Sequence, residues 1–371
     1  MAKILIVEPY FSGSHKSWAL GYQDNSSHEI EIISLEGKFW KWRMHGGAIS
    51  LANLFQKTKF APDLILASDM LDLTTFLCLT KNKTSNLPTA LYFHENQLSY
   101  PWSKSDRDVQ KKRDHHYGFI NIVSALAADK VLFNSEFHLE SFLLEGKKFL
   151  KNFPDNNETK SIDLIKKKSR VLHLGIDLKR FDSIKRLSLK DPLILWNHRW
   201  EYDKNPKSFF KSMFKLKEKN IPFSLAVLGE SFASKPNIFD EAKTKLKNEI
   251  IHFGYCDNHW DYAKWLCSAD ILPVTNNQDF FGASIVEAIY CGAFPLLPNR
   301  LSYPELLPTE FHEMHLYGDE KELDMMIENS LKNINKIRNI SLAQYVKRFD
   351  WKSMAPTYDQ LFSSIIEKKH S

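Results

Sequence analysis

The sequence predicts an α/β protein made of two doubly wound parallel sheets in tandem. Short apolar segments recur between stretches of helix length, and the rhythm pauses once, near the middle of the 371-residue chain. The first set is KILIVE (3–8), HEIEIISL (28–35), DLILAS (63–68), TALYFH (89–94), KVLFNS (130–135) and SRVLHLG (169–175). The pause is DLKRFDSIKRLSLKDP (177–192), charged, without sustained periodicity and ending in Asp-Pro, which reads as a linker. The second set is LILWNH (193–198), FSLAVLG (223–229), IIHFGY (250–255), DILPVT (270–275) and FPLLP (294–298). Strand alternating with helix in both sets gives two Rossmann-like domains, 1–185 and 186–350, with ligands expected at strand carboxyl ends and a shared ligand in the cleft where the domains face each other. The last segment, 351–371, carries a helical apolar stripe through Met354, Tyr358, Leu361, Phe362 and Ile365, and is expected to pack back across the domains.

Composition narrows the class. Hydrophobic residues at 43% and charged residues at 26% fit a globular protein with ample core, not a disordered one. The start MAKILIVEPY has too short an apolar run for a signal peptide, and no later run spans a bilayer, so a cytoplasmic protein without stable membrane association is expected. Cys78, Cys256, Cys267 and Cys291 form neither a C-x-x-C pair nor a zinc-spaced cluster, which argues against structural disulfides and zinc. A net charge of +5 is too mild to specify nucleic acid. Its local runs, KKR (111–113), GKK (146–148) and KKK (166–168), read most simply as solvated lysines.

Two motifs carry chemistry in the second half. WNHRWEYDKNP (196–206) places Arg199 and Lys204 after the first strand of that half, where two cations would neutralise a diphosphate leaving group; a salt-bridged turn with Glu201 and Asp203 explains them equally. In NNQDFFGASIVEAIYCGAFPLL (276–297) the helix begins at Gly282, so the backbone from Phe281 to Ala283 would point N–H groups at an anion. Glu287 follows a turn later as a ribose partner, and Asp279 precedes the helix as a sugar-hydroxyl partner. Neither stretch carries an Asp-x-Asp metal motif, so catalysis without a divalent ion or other cofactor is expected.

The basic pair and the acids eight positions apart resemble the E-x7-E signature of retaining GT-B glycosyltransferases of family 4, with Asp279 in place of the usual first Glu. In the first half EPYFSGSHKSW (8–18), FWKWR (39–43), YFHENQLSYP (92–101) and DHHYGFINIVSALAADKVLFNSEFHLESFL (114–143) occur in order. With HRWEYDKNPKSFFK (198–211), VLGESF (227–232) and YCGAFPLLPNRLSYPEL (290–306), they resemble the tRNA-queuosine alpha-mannosyltransferase family over nearly the whole chain. The resemblance implies a GT-B fold and retaining transfer of mannose from GDP-mannose to the cyclopentenediol of queuosine, at the wobble position of an aspartate tRNA. The departing diphosphate would help deprotonate the acceptor.

Roles follow for the first half. His94, at the end of TALYFH, corresponds to a histidine near the transferring sugar in family 4, although a lone His is often a core group. With Arg199, Lys204 and Asp279 it completes the expected catalytic set. Gly13 would admit the donor, and Ser14, His15 and Lys16 lie beside it as acceptor contacts, unless this is only a capped turn. Glu95 and Asn96 follow His94 as further acceptor contacts. Trp40, Trp42 and Arg43 interleave rings and charge as single-stranded RNA binding requires, or else pack a loop to the core. His115 and His116 face the tRNA or begin a solvated helix. A family 4 transferase with another donor, or with a lipid or glycan acceptor, is the nearest alternative; a non-catalytic tRNA or nucleotide-sugar binding protein is the other.

Overall fold

The computed structural model describes residues 1–101, 116–231 and 235–370. By contact the chain divides into two compact units, Met1–Ile176 with Trp351–Ser371, and Asp177–Asp350. Each is a six-stranded, fully parallel sheet covered by helices, so the α/β class read from the sequence is the observed one.

The first unit contains β1 (Lys3–Phe11), β2 (Glu29–Glu36), β3 (Leu64–Ser68), β4 (Thr89–Phe93), β5 (Lys130–Phe133) and β6 (Ser169–Val171) in the order β2-β1-β3-β4-β5-β6. Ile4 to Val7, Leu64 to Ala67 and Ala90 to Phe93 are wholly buried, because helices cover both faces of the sheet. The helices that matter here are α1 (Gly13–Asn25), α2 (Trp40–Lys57) and α3 (His116–Ala127). The terminal helix, Trp351–His370, belongs to this unit and lies on α1: Trp18 Nε1 donates to the Tyr358 hydroxyl at 3.2 Å and Tyr22 Oη to Asp359 at 2.8 Å. A Cβ on Gly21 or Gly175 would collide with the Trp351 ring, at 2.0 and 2.4 Å, so both glycines make room for it.

The second unit contains β7 (Leu193–Asn197), β8 (Ser224–Leu228), β9 (Ile250–Gly254), β10 (Ile271–Pro273), β11 (Phe294–Pro298) and β12 (Leu316–Tyr317), ordered β12-β11-β10-β7-β8-β9. The two-residue β12 has no sequence signal of its own. The stretch expected as a linker, 177–192, is part of this unit rather than a tether. Phe181 is buried, and Arg186 pairs with the buried Asp270, which Arg338 also holds at 2.7 Å.

Strand order reverses once in each sheet, between β1 and β3 and between β7 and β10. Crossovers depart to opposite faces at such a point, leaving an opening at the carboxyl ends of the two strands. Within each unit, residues that follow those two strands are therefore brought together.

Candidate active site

In the second unit Lys204 closes a 3-10 turn (Tyr202–Lys204) that follows β7. Its side chain is buried: Nζ donates to the Gln278 carbonyl at 2.9 Å and lies 3.2 Å from Asp203 and 3.9 Å from Asp279. Arg199 is half exposed and pairs with Glu201 at 3.3 Å. Burial pushes the Glu201 carboxyl above its ordinary range, with Arg199 opposing. The salt-bridged turn of the sequence reading is thus present, with Arg199 on Glu201 and Lys204 on Asp203.

Across the reversal, the loop after β10 leads into α4 (Ala283–Tyr290). Gly282 is its N-cap at φ +91°, a conformation that side chains rarely adopt. The N–H groups of Ile285 and Val286 donate to the Gly282 carbonyl at 3.0 Å, which leaves those of Ala283 and Ser284 directed beyond the helix start. Asn197 Nδ2 donates to the Ser284 carbonyl at 2.7 Å and clips the helix to the end of β7. Asp279 Oδ2 accepts from Asn276 Nδ2 and the Tyr303 hydroxyl, each at 3.2 Å, while Phe281 packs edge-on against Phe349. A Cβ at Gly282 would stand 3.3 Å from Ile285 Cδ1 and 3.4 Å from Tyr303 Cε1. Gly282→Ala is therefore expected to lower stability by ~1–3 kcal/mol through the strained φ, read by thermal melting, and to weaken nucleoside diphosphate binding, read by calorimetry.

Glu287, nearly buried in α4, accepts from Arg180 at one oxygen and from the Tyr262 hydroxyl, 2.7 Å away, at the other. Burial first, and then the charge of Glu287, holds the Tyr262 phenol well above its ordinary range. A carboxylate oxygen has further lone pairs, so these partners orient Glu287 without exhausting it. Arg180, Tyr262 and Glu287 line a cavity of about 340 Å³ with Asn197, Gly229 and the 255–259 loop.

Sequence reasoning passed over Arg180, Tyr262 and His198. His198 is buried; burial, then the charge of Lys204, pushes its imidazole down to about 3, with Asp279 opposing. The buried atoms Asn197 Oδ1, His198 Nε2, Asn276 Oδ1 and Gln278 Nε2 have no hydrogen-bond partner among the described residues. In native interiors such groups are met by ordered water, an ion or a ligand.

The first unit gathers a second group at its own reversal. Gly13 opens α1 at φ +51°, with open space where a Cβ would stand; Ser12 is the N-cap, and Ser14 and Lys16 are exposed. His15 points inward, its Nδ1–H donating to the buried Glu8 at 3.0 Å, and its ring lies 4.1 Å from that of His94. Glu8, His15 and His94 each offer a ligand atom within 4.8 Å of the others, a donor set that suits an ion such as zinc. Burial, followed by the charge of His15, holds His94 well below the ordinary histidine range. Glu95 accepts from Gln97 Nε2 at 2.9 Å. Asn96 is wholly buried, its Oδ1 accepting from the Leu98 and Ser99 N–H groups, so that it shapes the loop after β4.

The two tryptophans separate. Trp40 packs on Tyr117, 5.1 Å between ring centres, beside the buried Met44 and Met70, whereas Trp42 is 64% exposed. Phe39, N-cap of α2 at φ +54°, is also exposed, and Arg43 Nε donates to the Glu36 carbonyl at 3.0 Å. His116 Nε2 lies 2.8 Å from His45 Nε2, while His115 falls outside the described residues.

Comparison with known proteins places both units. Residues 3–176 match the model for the tRNA-queuosine alpha-mannosyltransferase N-terminal region, and residues 179–342 match that for glycosyl transferases group 1. Among solved structures, Anabaena HepE in complex with UDP matches with a TM-score of 0.66 at 15% identity, covering 98% of this chain and 100% of that one. Sucrose-phosphate synthase from Thermosynechococcus elongatus matches with a TM-score of 0.70 at 14% identity, covering 99% and 100%. These likenesses establish the GT-B fold. A Drosophila melanogaster protein named tRNA-queuosine alpha-mannosyltransferase is 34% identical over 99% of this chain and 98% of its own length. Sequence likeness sustained end to end, on a fold whose second unit carries a glycosyl transferase domain, makes this chain a glycosyltransferase belonging to the tRNA-queuosine alpha-mannosyltransferase family.

Proposed function

We propose that this protein transfers mannose from GDP-mannose to the cyclopentenediol of queuosine at the wobble position of an aspartate tRNA, in the cytoplasm and with retention at the anomeric carbon. The observation that carries this reading is the second-unit site: the glycine-led start of α4, clipped to β7 and flanked by Lys204 and Arg199. Helix-start N–H groups and fixed cations stabilise a diphosphate as its bond to the sugar breaks. In the transfer an acceptor hydroxyl oxygen bonds to the anomeric carbon, the bond from that carbon to the diphosphate breaks, and the hydroxyl proton passes to a diphosphate oxygen on the same face. Arg199 and Lys204 hold the diphosphate, Glu287 the ribose and Asp279 the mannose hydroxyls. No step requires a metal ion, because these charges supply the stabilisation.

His94 stands for the first unit in this scheme, near the transferring sugar. Exposed Trp42 and Phe39, with Lys41 and Arg43 on the same helix, offer rings for unstacked bases and charge for phosphates. No helix among the described residues is long and apolar enough to cross a membrane.

The test incubates purified protein with GDP-mannose and tRNA that contains or lacks queuosine, in the presence of chelator, and weighs the released nucleosides. A hexose on queuosine alone is the expected result. Transfer to a lipid or glycan instead, or from another nucleotide sugar only, would replace this reading, and binding of both substrates without turnover would make the protein a binding module.

A further inference from the structure

Phe39 gains little for the fold of the first unit. It is 77% exposed, so its ring sheds little water, and as N-cap of α2 it holds φ +54°, in the left-handed region that a bulky side chain resists. Asparagine or glycine would sit there with less strain. Its carbonyl accepts from the Trp42 and Arg43 N–H groups, at 2.8 and 3.1 Å, so the turn that strains Phe39 also starts the helix. Strain kept at an exposed residue points to a working position.

Trp42 stands three positions on, exposed on the same face of the helix start. A Cβ on Gly46, one turn further along, would be only 3.2 Å from Cε2 and Cζ2 of its ring, so a side chain there would push the indole away. Glycine lets the ring rest on the helix while most of it faces solvent. Trp40, between the two exposed rings, turns inward onto Tyr117 beside the buried Met44 and ties this turn to the body of the unit.

We propose that the start of α2 is a preformed two-ring platform for the unstacked bases of a single-stranded RNA loop, with Gly46 as the positioning residue that seats Trp42. The choice of RNA rests on the function proposed above. The charge around the rings supports it: residues 37–62 carry Lys38, Lys41, Arg43, Lys57 and Lys59 and no acid. Lys41 Nζ stands 5.5 Å from the centre of the Trp40 ring, and Arg43 commits only its Nε to the Glu36 carbonyl. Lys38 pairs with the Glu36 carboxylate at 2.8 Å, which neutralises one of these charges.

Bases stack on rings whatever their identity, and neighbouring cations meet the phosphates that join them. A membrane surface is the competing occupant for a helix with exposed rings and lysines. It requires an apolar face along the length of the helix. Beyond Trp42 this face of α2 runs through Gly46 and Ile49 to the exposed Asn53, so the large rings are confined to one end.

The full-length protein, without nucleotide sugar, is titrated against a fluorescently labelled anticodon stem-loop and an RNA duplex of equal length, and binding is read by anisotropy. The wild type should prefer the stem-loop. Phe39→Asn and Trp42→Ala should each raise the stem-loop Kd about five- to a hundredfold, the range for one stacked base, and change duplex binding little. Phe39→Asn should melt no lower than the wild type, because asparagine tolerates the left-handed conformation; a merely structural Phe39 would not lose affinity while keeping stability. Trp42→Phe, which keeps a ring, should recover part of the affinity. Gly46→Val should weaken stem-loop binding in the wild-type background and add nothing to Trp42→Ala, since its effect runs through that ring. An unchanged stem-loop Kd in Phe39→Asn and Trp42→Ala, an equal loss for stem-loop and duplex, or binding of anionic phospholipid vesicles that these substitutions abolish would overturn the proposal. Stem-loop binding that behaves as expected in a protein that transfers no hexose keeps the platform and removes the proposed function. Hexose transfer with the variants' Kd unchanged does the reverse.

Discussion

Lys204→Met is expected to slow transfer by about 10²- to 10³-fold, the range for losing one preorganised charge from a developing oxyanion. Lys204 is nearly buried, reaching Asp203 and the Gln278 carbonyl and standing within ion-pair range of Asp279. Methionine fills the same space without the charge, so the loss would not come from a cavity. It leaves Asp203 buried without that counter-charge, which on the scale of a broken buried pair costs about 3–5 kcal/mol and should appear as a lower melting temperature. Arg199→Ala makes the necessary contrast. Arg199 is half exposed and its pair with Glu201 contributes little to stability, so its removal should abolish most turnover and leave melting unchanged. His198 supplies a third readout: with Lys204 gone, one of the causes that depress its imidazole is removed, and its titration should move up. Single-turnover transfer, melting curves and NMR titration together check this. A Lys204→Met protein that melts lower yet transfers at the wild-type rate would reduce Lys204 to a structural lysine.

The central strands were legible because parallel strands covered on both faces leave continuous apolar runs, as in β1, β3 and β4, and each of the eleven segments overlaps a strand of the structure. β12 escaped since two residues make no pattern. The glycine-led helix was legible from its spacing, and Gly282 sits at its N-cap. What the sequence hid is pairing at a distance. Nothing local to Glu287 announces that Arg180, 107 positions earlier and inside an apparent linker, would hold it, or that Tyr262 would hold its other oxygen. Glu8 was hidden differently, as one acid in an apolar run; an acid at the carboxyl end of a strand beside a strand-order reversal is the signal that would have found it. Trp40 and Trp42 differ by two positions, which on a helix means different faces, and only the neighbouring Tyr117 decides which one packs.

Glu287→Gln should raise the Kd for a nucleoside diphosphate by about ten- to a hundredfold, the cost of ~1.4–3 kcal/mol for hydrogen bonds made to a charged partner. The side chain is 11% exposed and has two protein partners, so its removal acts on fold and ligand at once, and the two effects have to be separated. Glutamine keeps one acceptor for the Tyr262 hydroxyl but turns an amide toward Arg180, which removes the ion pair. Tyr262→Phe does the converse: it deletes the hydroxyl and leaves the charge of Glu287 and its pair with Arg180 in place. If Glu287 binds ribose, Tyr262→Phe should lower melting while changing the nucleotide Kd only a few-fold, and Glu287→Gln should change the Kd far more than its melting loss suggests. A 2′-deoxyribose or 3′-deoxyribose diphosphate then closes the cycle. Wild type should bind it weakly and Glu287→Gln should no longer distinguish it from the parent nucleotide, since the group that reads the hydroxyls is gone. Equal discrimination by both proteins would assign Glu287 to holding Arg180 and Tyr262, and the ribose to another part of the cavity.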